Sequence, residues 1–95
     1  MSTVAGVIGP ADLVDKVRAT VKEFPEIEIL PLTYASETEA PDILARNESL
    51  MNLALFTGPI PYYLARSVAK RIPLLYISAS GTSLYRTLLE MVLRG

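Results

Sequence analysis

The stretch Leu53-Ala54-Leu55-Phe56-Thr57-Gly58-Pro59-Ile60-Pro61-Tyr62-Tyr63 decides the fold. An apolar run stops at Thr-Gly-Pro, and a helical pattern follows at once. Strands buried on both faces read as such runs, and parallel sheets are built from them. Gly58 allows a tight turn, and Pro59 suits an early helical position, where its missing N–H costs nothing. Val7-Ile8-Gly9-Pro10 and Tyr76-Ile77-Ser78-Ala79-Ser80-Gly81-Thr82-Ser83 repeat the grammar. Three strand ends are therefore expected along one rim of a sheet.

Upstream, Thr3 to Ile8 reads as a short strand, apolar on both faces. Leu13, Val14, Val17, Val21 and Phe24 then form one helical stripe that Pro25 ends. Glu26 to Leu32 alternates charge with isoleucine and contains Pro31, which marks an edge strand. Ser36 and Glu39 have the spacing of a capping box, with a helix starting around Ala40 to Asp42 and using Ile43, Leu44 and Leu50. The third strand is expected at Asn52 to Thr57. Downstream, Leu64, Ala65, Val68 and Ile72 predict one face of a third helix, Leu74 to Ser78 a fourth strand, and Thr82 to Arg94 a fourth helix.

Strands alternating with helices through short loops imply a parallel sheet. Right-handed crossovers favour strand order 2-1-3-4. The expected architecture is α/β, a three-layer αβα sandwich of the flavodoxin-like or Rossmann-like half-domain kind, with residues 1–95 as one domain.

Composition narrows the chemistry. The 95 residues are 51% hydrophobic, enough for a core, and the net charge is −1. Nine basic residues are scattered along the chain, whereas nucleic acid asks for a concentrated positive face. With no cysteine and no histidine, thiolate chemistry and the usual neutral-pH base are missing. No run approaches the ~20 apolar residues of a spanning helix, and the N-terminus lacks a signal-peptide pattern. The expectation is a cytoplasmic, non-catalytic protein with no cofactor and no membrane or nucleic-acid contact of its own.

Candidate ligand-binding residues follow from the rim: Gly9, Pro10, Thr57, Gly58, Pro59, Tyr62, Ser78, Ser80, Gly81, Thr82 and Ser83. Backbone N–H groups at helix starts favour an anion, here a carboxylate or phosphate, and the hydroxyls bond in either sense. The same glycines, serines and threonines also serve turns and caps in any protein. Tyr62, Tyr63 and Tyr34 belong to that rim, Tyr63 alternatively packing on the sheet while Tyr62 covers a loop. Glu37, Glu39 and Asp42 cluster after the second strand, where paired carboxylates can bind a metal or do acid–base work, but helix N-termini attract acids for dipole reasons alone. Arg66 and Arg86 could neutralise a ligand anion, solvated arginines being the default reading.

Several α/β functions are excluded. There is no G-x-x-x-x-G-K-[ST] loop and no G-x-G-x-x-G after the first strand. A phosphoacceptor receiver needs acids where Gly9-Pro10 and Phe56-Thr57 stand.

The third strand closing in a Gly-containing turn, then a helix, then Ile72-Pro73-Leu74-Leu75-Tyr76-Ile77 and a Ser-Gly turn, resembles a sensor lobe. The family is the N-terminal effector-sensing domain of propionate-catabolism-type bacterial transcriptional regulators, themselves similar to periplasmic-binding-protein lobes. Thr57-Gly58-Pro59 departs from it, since that family implies an arginine and a second small residue there. The resemblance implies a module that senses a small metabolite within a longer regulator, DNA being bound elsewhere.

Two other readings stand beside it. Leu84, Tyr85, Leu88, Leu89, Met91, Val92 and Leu93 are more than one helix face can bury, and the fourth strand has no successor. That pattern predicts a homodimer or a neighbouring domain, hence a structural interaction module. An enzyme using backbone amides and Ser or Thr hydroxyls is the third reading.

Overall fold

Central position in a parallel sheet requires burial on both faces, and in β1 (Thr3–Gly9) every residue from Ala5 to Gly9 is buried. The computed structural model describes residues 3–68, 71–77 and 86. In it β1 pairs in parallel with β2 (Ile27–Thr33) and with β3 (Leu53–Phe56), and β4 (Leu74–Tyr76) pairs in parallel with β3. The sheet has four strands in the order β2-β1-β3-β4, as expected from the sequence. Asn52 secures the start of β3: its N–H donates to the Val4 carbonyl, and its Oδ1 accepts from the Val4 N–H at 2.7 Å.

Alternation along the strands divides the core in two. Ala5, Val7, Leu53 and Leu55 pack with Val14, Val17 and Val21 of α1 (Ala11–Val21). On the other face Ile8, Ala54 and Phe56 pack with Ala40, Ile43 and Leu44 of α2 (Ala40–Asn47) and with Ala65 of α3 (Pro59–Ala65). Helices on both faces of an all-parallel sheet make the α/β class plain. Gly6, on the second face, lies under the Met51 sulfur, which occupies the space a Cβ would need.

β2 is the edge the sequence marked, with Glu28 and Pro31 exposed. The Ser36 capping box is present as well: Ser36 Oγ accepts from the Thr38 N–H, and Glu39 Oε2 accepts from the Ser36 N–H at 2.8 Å. A single 3-10 turn at Glu37–Glu39 thus leads into α2.

Three expectations need correction. α3 stops at Ala65, and it turns Pro61 and Ala65 rather than Leu64 toward the core, leaving Leu64 43% exposed. Leu50 is 60% exposed, because α2 ends at Asn47 and a 3-10 turn swings the next residues outward. Gly58 does not use a glycine-only conformation: its φ is −163°, and no described glycine has positive φ. The expected fourth helix lies outside the described residues, apart from Arg86, which is helical and exposed.

Candidate functional site: a pocket at the carboxyl rim of the sheet

β1 and β3 end side by side. The Thr57 N–H donates to the Ile8 carbonyl at 3.1 Å, and the Tyr34 N–H, just past β2, donates to the Gly9 carbonyl at 3.1 Å. These bonds extend the ladder one residue beyond the strands and bring Pro10, Tyr34 and Thr57 to one lip. There they line a pocket of about 170 Å³ together with Leu13, Glu37, Gly58, Pro59, Ile60 and Pro61. Ligand sites of open α/β sheets occur beyond the carboxyl ends of the strands where the strand order reverses, and β1 and β3 are those strands here.

Each polar group of the pocket has a local cause. Thr57 is held over Gly9: a Cβ on Gly9 would lie 2.6 Å from Thr57 Cγ2 and 2.8 Å from its Cβ. The Thr57 hydroxyl and the Tyr34 phenol both line the pocket, close enough for Thr57 to act on the phenol. Burial raises the Tyr34 phenol above its ordinary value, the Glu37 charge raises it further, and the neighbouring Thr57 hydroxyl partly offsets both. Glu37 reaches the pocket because Ser36 and Glu39 lock the 3-10 turn that carries it.

Of the residues singled out from the sequence, Pro10, Thr57, Gly58 and Pro59 line this pocket, and Gly9 lies directly beneath Thr57. Tyr62 is not in its lining. It packs against Phe56 and Tyr76 with ring centroids 6.0 and 4.8 Å away, while Tyr63 is 55% exposed. The two tyrosines thus exchange their expected places, because α3 begins at Pro59 and turns position 62 inward. Tyr63 stacks edge-on against Tyr62 at 5.1 Å and carries Arg66 over its ring at 5.6 Å. Its phenol, beside that of Tyr76, raises the Tyr76 phenol above the ordinary value. Ser78, Ser80, Gly81, Thr82 and Ser83 lie outside the described residues.

Sequence reasoning placed Tyr34 on the rim but passed over Leu13, Ile60 and Pro61 as site residues, and preferred for Glu37 the role of a dipole partner. The available signal for Glu37 was its position inside the Ser36–Glu39 box, which leaves it no capping role of its own. Among the described residues no group of acidic, histidine or cysteine side chains is arranged to hold a metal ion, and no helix is long and apolar enough to cross a membrane. The chain matches no protein-family model, and no curated protein is significantly similar to it in sequence.

Proposed function

We propose that this chain is a non-catalytic, small-molecule-sensing domain of a bacterial-type transcriptional regulator, with the rim pocket as its ligand site. The observation that carries the reading is an open pocket at the strand-order reversal, walled by prolines and supplied with two hydroxyls and one carboxylate. Its volume, about 170 Å³, is below the roughly 300 Å³ at which pockets for drug-sized ligands begin. A metabolite of a few heavy atoms fits, and a nucleotide does not. Sensing then requires the ligand to prefer one arrangement of this domain against its neighbour or its copy, since equal affinity for both shifts nothing. In this reading the protein is cytoplasmic and the regulator binds DNA through another segment.

Gly58→Val tests the site. A Cβ at Gly58 meets nothing within 4 Å, and the extended backbone there accepts any residue, so the fold tolerates the change while the pocket wall grows. Small-metabolite screening by thermal shift should find stabilisers that the wild type binds and Gly58→Val does not. Equal stabilisation of both proteins would remove the rim from the proposal.

A second reading, a structural interaction module, is favoured by a different surface. Ile60, Tyr63 and Leu64 are exposed on one side of α3, and β4 has no outer neighbour among the described strands. Light scattering at rising concentration tests it. A dimer that Tyr63→Glu dissociates supports this module, and a concentration-independent monomer rejects self-association.

A further inference from the structure

The charges around the rim pocket decide what class of ligand it accepts. Among the described residues that line it, Glu37 is the only one with an acidic or basic side chain. No described lysine or arginine lines it: Arg46 pairs with Asp42 at 3.0 Å, Arg66 lies over Tyr63, Arg71 is at another pocket with Glu48, and Lys16, Arg18 and Lys22 lie further along α1. Two features of the opposite sign remain, the N-terminus of α1 behind Pro10 and that of α3 at Gly58 and Pro59. A helix start is equivalent to about half a positive charge and acts only over its first turn. Asp12 already stands in the first turn of α1, and Pro59 and Pro61 leave the start of α3 without two of its N–H groups. A full negative charge at Glu37 therefore outweighs what is left of the two half-charges, and the carboxylate or phosphate expected from the sequence meets repulsion here.

The oxygens of the pocket agree with that sign. Tyr34 and Thr57 both line the pocket, and each hydroxyl has acceptor capacity for an incoming N–H. Pro10, Leu13, Ile60 and Pro61 offer an apolar wall for a short hydrocarbon. We infer that the rim pocket takes a small ligand carrying an ammonium group on a short apolar body, with the Glu37 carboxylate as counter-charge and the Tyr34 and Thr57 oxygens as acceptors. This rests on the pocket being a ligand site and names the class it selects.

Three probes of equal chain length and different charge test it: butylammonium, butan-1-ol and butyrate, titrated at constant ionic strength into the full chain. Amide chemical shifts of Gly9, Thr57 and Gly58 locate binding. Butylammonium should bind at these amides more tightly than butan-1-ol, and butyrate most weakly. Glu37→Gln should weaken butylammonium about fivefold, the scale of one partly exposed ion pair, and leave butan-1-ol unchanged. Butyrate binding tighter than butylammonium, or Glu37→Gln leaving the ammonium affinity as it was, overturns the inference while keeping the pocket as a site. No probe moving the rim amides overturns both.

Discussion

Thr57 lies across Gly9 so closely that glycine alone fits beneath it. All three nearest atoms to an added Cβ there are Thr57 side-chain atoms, and a short β-branched side chain has few rotamers into which to withdraw. At Gly6 the nearest atom is instead the sulfur of Met51, a flexible side chain. Neither glycine has positive φ, so both are explained by close approach.

Gly9→Ala should therefore destabilise by about 1–3 kcal/mol, the usual cost of overpacking. Gly6→Ala should cost distinctly less, since Met51 can move and alanine regains roughly 0.5–1 kcal/mol of backbone entropy. Urea unfolding of the two variants measures the difference. Equal losses would mean that Thr57 can leave its place over Gly9.

Alkaline pH should report on Tyr34. Its folded-state pKa is raised, by burial first and then by Glu37. The unfolded chain therefore loses this proton at lower pH than the folded one, and the folded state holds more protons above the ordinary value of 10.0. The stabilisation is complete below that value and is lost as pH climbs through the folded pKa. Glu37→Gln should move the Tyr34 titration, followed by its ring carbon shift, down toward the ordinary value. An unchanged midpoint would place the Glu37 charge away from the pocket.

The sheet was legible because its signals are local. Apolar runs, prolines at Pro25, Pro31 and Pro59, and the Ser36–Glu39 spacing each constrain the backbone within a few residues. Face assignment was less so. Leu64 and Ala65 are adjacent, and only the entry of α3 at Gly58 decides which one turns inward. The same uncertainty of about 100° exchanged Tyr62 with Tyr63. The charge of the pocket was hidden for another reason. Glu37 is 20 residues from Thr57 in the sequence, and nothing local in either stretch announces that β1 brings them together.

Ser36→Ala should separate fold from site. Loss of a cap serine costs about 1 kcal/mol, and here it also loosens the turn that carries Glu37. Thermal unfolding should drop modestly, and the Tyr34 titration should shift in the same direction as in Glu37→Gln. A stability loss without that shift would show that Glu37 keeps its position without the capping box.

Two leucines close to α2 test the assignment of its faces. Leu44 is 0% exposed and packs against Ile8, Ala54 and Phe56, whereas Leu50 is 60% exposed beyond the helix end. Leu44→Ala removes buried carbons from a core that can only partly collapse around the gap, at a cost of about 2–5 kcal/mol. Leu50→Ala removes carbons already in contact with water, and surface changes of that kind stay within about 0.5 kcal/mol. Both substitutions delete the same atoms, and alanine's higher helix propensity favours only the Leu44 variant by a few tenths of a kcal/mol, so a larger loss at Leu44 reports burial. Denaturant midpoints of the two variants should therefore diverge widely at similar slope. Comparable losses would mean that Leu50 is also covered, by a partner or by a second copy of the chain.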